Sequence, residues 1–251
     1  MNWLYWPRRN ADALWRGFCF PYAGSGASAY SGWADRLNPS AELCLVVPPG
    51  RETRHREKPL TTLEPMVSAV VRAMQPFTER PYFLFGHSFG ALVAFEVARA
   101  LRRSGSRTPD HLFVSAAPAP QRGWPHRQLH CMHDAALLQE LQALYGGIPR
   151  TVFEDDELRR LMLPVLRGDL TVIETYRYEA EEPLSCPITV FSGDRDRAVP
   201  GDALEEWRHQ TTAGFQHVRV NGDHFFLRSA RDVVTARVRT ELEGAIEHVE
   251  R

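Results

Sequence analysis

Four apolar residues, Tyr82 to Phe85, run straight into Gly86-His87-Ser88-Phe89-Gly90 and then into a helical stretch, Ala91 to Leu101, that is apolar on nearly every side. A strand without polar alternation is buried on both faces, and a helix without a polar face is buried all round. A tight turn between two such elements therefore requires a layered interior, with helices packed over a sheet. The glycines at 86 and 90 suit that turn, because a side chain at either position would crowd the neighbouring strand or helix.

The rest of the chain repeats the alternation. Phe18 to Phe20, Leu43 to Val47, His111 to Ser115, Ile188 to Phe191 and Gln216 to Val220 read as further strands. Helices are predicted over Ala29 to Leu37, up to Asn38-Pro39, and over Thr61 to Met74. A closing helix follows Ser229, striped by Val234, Val238, Leu242 and Ile246. Strands alternating with helices of this length predict an α/β fold with a mostly parallel sheet and helices on both faces. One region departs from the pattern. From about 119 to 182 only helical patterns occur: Asp134 to Leu144, Asp155 to Leu163 ending at Pro164, and Asp169 to Tyr178. That is too long for a simple crossover, so residues 1–251 are expected to form one domain carrying a helical insertion that lies over an active site as a lid. Leu137, Leu138, Leu141, Leu144, Leu158, Leu161, Met162 and Leu163 are candidates for its apolar underside, although leucines at this spacing also simply pack helix on helix.

Composition narrows the function classes. Thirty basic and thirty-one acidic side chains give a net charge of -1, so no global field favours nucleic acid. Lys58 is the single lysine, as G+C-rich coding produces. The four cysteines show no metal-ligand or disulfide spacing, there is no signal-peptide pattern, and no apolar run reaches membrane-spanning length. A cytoplasmic protein without membrane contact is expected. The chemistry calls for no metal and no organic cofactor.

Ser88 ends a strand and precedes a helix, the setting in which a Gly-x-Ser-x-Gly turn lifts a nucleophilic hydroxyl clear of the backbone. Such a serine needs a base and an acid that orients it, in chain order serine, acid, histidine. His224, in Asn221-Gly222-Asp223-His224-Phe225-Phe226, is the histidine on a loop just past a strand, whereas His217 lies inside that strand and His248 on the terminal helix. The acid falls in Ser192-Gly193-Asp194-Arg195-Asp196; Asp196 is preferred and Asp194 is the alternative. The amide of Phe89, at the start of the helix, and that of Ala23, in the Gly24-Ser25-Gly26 loop, are the expected oxyanion donors. That loop lacks both the P-loop lysine and the dinucleotide-binding spacing.

These segments resemble the stand-alone, type II thioesterases that accompany polyketide synthases and nonribosomal peptide synthetases, within the α/β-hydrolase fold. The likeness is carried by Phe20-Pro21-Tyr22-Ala23-Gly24, Pro49-Gly50-Arg51, Phe85 to Ala91, Leu163 to Asp169, Ser192 to Asp196 and Gly222 to Leu227. Gly168 departs from it, standing where a residue with a side chain, often Ala, is expected. The resemblance implies hydrolysis of acyl-phosphopantetheine thioesters held on an acyl or peptidyl carrier protein, clearing stalled or aberrant acyl groups. The alternatives are a general carboxylesterase, a chain-terminating thioesterase, or an inactive hydrolase-fold scaffold that only binds a partner. Carrier proteins are generally acidic, so some of the many arginines are expected to dock one.

Overall fold

The computed structural model describes residues 3–124 and 128–249, with side chains up to 245. His126, and the side chains of Ile246 and His248, lie outside the described residues. Seven strands form one sheet: β1 (Leu4–Tyr5), β2 (Trp15–Phe20), β3 (Ala41–Val46), β4 (Tyr82–His87), β5 (His111–Ser115), β6 (Ile188–Gly193) and β7 (Phe215–Val220). Their order across the sheet is β1-β3-β2-β4-β5-β6-β7. Every pairing is parallel except that of β1 with β3, where Leu4 lies opposite Val46. The two-residue β1 is too short for a periodicity to show, and the sequence pattern misses it.

Period-two alternation along the central strands builds two cores. Phe18, Phe20, Tyr82, Leu84, Leu112 and Val190 face helices α2 (Leu63–Met74) and α3 (Phe89–Arg103). Cys19, Phe83, Phe85, Phe113 and Phe191 face α1 (Trp33–Leu37) and α9 (Arg231–Val249). Both sides of these strands are dry, and for that reason they read as unbroken apolar runs. Each fully buried aromatic stabilises the sheet by roughly 2–3 kcal/mol. The predicted helix over Ala29 to Leu37 is divided: Ala27–Tyr30 forms a single 3-10 turn, and Gly32, at φ +74°, precedes α1.

Between β5 and β6 the chain forms α4 (Asp134–Tyr145), α5 (Arg150–Glu154) and α6 (Asp156–Thr175). The sequence predicts a stop at Pro164, but α6 runs through it as one 20-residue helix. Its start is held by the Asp155 carboxylate, which accepts from the amides of Glu157 at 2.8 Å and Leu158 at 3.0 Å. Proline deprives the Arg160 carbonyl of its helical partner, and burial of Leu163, Val165, Leu170, Val172 and Ile173 outweighs that loss. Gly168 has a spatial reason: a Cβ there would stand 2.9 Å from the Leu60 carbonyl oxygen. After β6 come the short helices α7 (Gly201–Glu205) and α8 (Phe226–Ser229). No helix among the described residues is long and apolar enough to cross a membrane.

Chain order reverses across the sheet at β2: β3 lies on one side of it, and β4 to β7 follow in turn on the other. Loops leaving the carboxyl ends of β2 and β4 diverge there and leave a crevice, the usual place for a site in an open parallel sheet.

Candidate active site

Ser88 occupies the turn between β4 and α3 with φ 53° and ψ -120°, a conformation that costs a non-glycine residue about 1–3 kcal/mol. The surroundings enforce it. The Ser88 amide donates to the Ser115 carbonyl at 2.7 Å, and its carbonyl accepts from the Ala91 amide at 2.9 Å. A Cβ on Gly86 would stand 2.2 Å from the Gly90 carbonyl oxygen, and one on Gly90 2.1 Å from that of Phe20. Both glycines are thus fixed by backbone-to-backbone approach.

The loops after β6 and β7 bring the other two side chains in. His224 Nε2 lies 3.2 Å from Ser88 Oγ, and His224 Nδ1 lies 2.8 Å from Asp196 Oδ2. The His224 imidazole and the Asp196 carboxylate are almost wholly buried, at 4% and 2% side-chain exposure, so neither bond competes with bulk water. Asp196 Oδ1 accepts from the Ala198 amide at 2.9 Å, which fixes the carboxylate plane. Asp194, the alternative acid, does not reach the imidazole. Its Oδ1 accepts from the Gly222 amide at 2.8 Å, bracing the loop that carries His224.

His87 supports His224 from below. It is fully buried, with Nε2 2.9 Å from the His224 carbonyl oxygen and Nδ1 2.8 Å from Ser115 Oγ. Burial, and then the neighbouring His224, push its pKa well below the usual histidine value, so the ring is neutral. A carbonyl can only accept, so the His87 proton sits on Nε2 and Ser115 donates to Nδ1. His87 lies inside the Gly-x-Ser-x-Gly motif, yet nothing in the spacing pairs it with a carbonyl 137 residues away.

Ala23 lies on the loop after β2 and lines the same cavity as Ser88 and His224. Phe89 opens α3, where a helix leaves its first amides without intrahelical partners. The Ala23 loop is held by a buried ion pair that sequence reasoning missed. Arg51 Nη1 and Nη2 donate to the two oxygens of Asp169, on α6, at 2.8 and 2.9 Å. The Gly24 amide donates to Asp169 Oδ2 at 2.8 Å, and Arg51 Nη1 also donates to the Ser25 carbonyl at 2.9 Å. Asp169 is completely buried. Arg51 and Asp169 both fall in segments that carry the family resemblance, but their pairing spans 118 residues and leaves no periodic trace.

The cavity measures about 260 Å³. Leu141, Met162, Leu166, Leu170 and Ile173 give it an apolar wall, and the Tyr145 ring of α4 packs against the His224 ring, tilted by 54° with centres 4.7 Å apart. Of the candidate underside residues, Leu141 and Met162 line this cavity, whereas Leu137 and Leu138 are buried in the core. Leu161 is 58% exposed and faces away, contrary to expectation. Leu166 falls between the two predicted helices, which were expected to break at Pro164; Leu170 and Ile173 lie in the predicted Asp169 to Tyr178 helix but were not among the expected underside residues.

A mostly parallel sheet, a serine on a strained strand-to-helix turn, and an imidazole and carboxylate arriving from later strand ends define the α/β-hydrolase class. Residues 18–242 match the family described as Thioesterase domain. The chain belongs to the thioesterase family, serine hydrolases that act on thioesters. It is 41% identical over 230 residues to the gramicidin S biosynthesis protein GrsT of Aneurinibacillus migulanus, covering 92% of this chain and 90% of that one. Among solved structures it superposes on RedJ, the thioesterase from the prodiginine biosynthetic pathway of Streptomyces coelicolor, with TM-score 0.86 and 40% identity over 92% of this chain and 91% of that one. The type II thioesterase BorB from the borrelidin biosynthetic cluster gives TM-score 0.85 and 31% identity, covering 97% of both chains.

Proposed function

We propose that Ser88, His224 and Asp196 are the catalytic triad of an editing thioesterase. Its substrates are acyl groups held as phosphopantetheine thioesters on acyl or peptidyl carrier proteins, and its task is removal of stalled or aberrant groups from a polyketide or nonribosomal peptide assembly line. The observation that carries the chemistry is the double engagement of His224, with Nε2 toward Ser88 and Nδ1 toward Asp196. The carboxylate accepts the Nδ1 proton, which leaves Nε2 as the acceptor for the serine proton. Assembly-line substrates are supported by the pathways named for RedJ and BorB.

Ser88 Oγ attacks the thioester carbonyl carbon as its proton passes to His224 Nε2. The tetrahedral oxyanion is met by the amides of Phe89 and Ala23, each donor contributing about 3 kcal/mol in comparable enzymes. Collapse breaks the carbon–sulfur bond, and the pantetheine thiolate takes the proton from His224. Water then attacks the acyl-Ser88 ester while His224 Nε2 accepts its proton. The second collapse releases the carboxylic acid and restores the hydroxyl. The helices between β5 and β6 act as the lid, and the apolar wall they supply receives the acyl chain. Carrier-held substrates and four free cysteines agree with a cytoplasmic setting.

The test compares hydrolysis of one acyl group on a carrier protein and on free pantetheine. A clear carrier advantage is expected, and a ratio near one supports a general esterase instead. Ser88→Ala is expected to lower turnover at least about 1,000-fold with an unchanged melting temperature; retained turnover overturns the triad.

A further inference from the structure

The cavity over Ser88 has two chemically different linings. The helices between β5 and β6 supply hydrocarbon, whereas Tyr22, Ser25, Ser28 and Arg228 supply polar groups from the β2 loop and α8. Arg228 is exposed and also lines the cavity, so its guanidinium stands at the rim. Its Nη2 donates to the Tyr22 hydroxyl at 2.6 Å, and its central carbon lies 6.0 Å from the Tyr22 ring centre. Among the described residues no carboxylate lies within 4.0 Å of its nitrogens. Arg36 and Arg231, by contrast, both pair with Asp232. Arg228 is therefore a cation oriented by a neutral phenol, with most of its five N–H donors uncommitted, and planar guanidinium matches a pair of anionic oxygens.

We infer that Arg228, steadied by Tyr22, is an anion subsite at the cavity rim. The anionic oxygens belong either to the phosphate of the pantetheine arm or to a carboxylate at the far end of the acyl group. The apolar wall suits an uncharged acyl chain, and the rim is where the arm leaves the cavity, so the phosphate is the expected source. The inference rests on the carrier-thioester function proposed above and adds the recognition of the arm.

The experiment measures kcat/KM for one acyl group on 4′-phosphopantetheine and on pantetheine lacking the phosphate, and for malonyl against propionyl pantetheine. Wild type is expected to prefer the phosphorylated arm about five- to tenfold, mainly through KM, with the preference shrinking as salt rises. Arg228→Gln brings that ratio to about one, and Arg228→Lys retains part of it. If Arg228→Gln instead removes a malonyl preference, the subsite stands and its ligand is the acyl carboxylate. If wild type discriminates in neither pair, or Arg228→Gln changes neither ratio, the subsite is overturned, while preferred hydrolysis of the carrier-held acyl group still supports the enzyme's function. Failure to hydrolyse the same acyl group on a carrier protein overturns that function itself.

Discussion

Asp196 turns one carboxylate oxygen to the imidazole of His224 and the other to a backbone amide, while Asp194, two residues earlier, ties down the loop that presents the imidazole. The two positions therefore respond differently to the same substitution. Asp196→Asn is expected to lower kcat about 1,000- to 10,000-fold, because an amide in place of the carboxylate favours the wrong imidazole tautomer. Asp194→Asn keeps an oxygen for the Gly222 amide and should stay within about tenfold of wild type. Steady-state turnover of both variants on one acyl-pantetheine checks this. In the sequence the two aspartates were separable only by preference, since both follow the same strand. Ser88 and His224 were legible because each has a local signature: the glycine-bracketed turn for one, a loop just past a strand for the other. His87 and Ser115 had none, because their partners are a carbonyl and a ring brought near by strand pairing.

At the scale of elements, α6 shows how tertiary contacts overrule a local signal. Pro164 predicted an end to the helix, yet one face of the following turns is buried and Asp169 is clamped by Arg51 and the Gly24 amide. Removing one partner of such a pair strands a buried charge, typically at about 3–5 kcal/mol. Asp169→Ala should therefore lower unfolding free energy by about that much in denaturant melts. It should also reduce kcat by releasing the loop that carries Ala23. Loss of stability with undiminished kcat, measured on the folded fraction, would show that the clamp serves the fold alone. Gly168→Ala is expected to cost about 1–3 kcal/mol, because the added methyl meets the rigid backbone of Leu60 rather than a flexible side chain. Melting temperature checks it.

For the whole molecule, pH acts through buried histidines. His111 stacks on Phe113 at 4.1 Å, and burial lowers its pKa from 6.5 to about 4. The unfolded chain takes up a proton near 6.5 and the native ring only near 4, so stability falls as pH drops through that window and is level above it. The slope is about 1.4 kcal/mol per pH unit, about 3 kcal/mol in all, and His87 acts in the same direction. Urea melts at pH 7.5 and 5 should show the loss, with His111→Gln reducing it. The α/β class, the parallel strands and the intervening helices between β5 and β6 were readable from runs and turns. The order of strands was not, since pairing partners leave no mark on either partner's periodicity.

The Asp169 clamp has a last consequence for traffic through the enzyme. One carboxylate oxygen holds both the roof helix and the amide next to Ala23, so these parts shift together or not at all. A clamshell that swings open on α6 would tear that joint apart. On the function proposed above, guests thread in past Arg228 at the rim, and a bulkier acyl tail is expected to find room by reshuffling Met162 and the leucines that line the cavity with it.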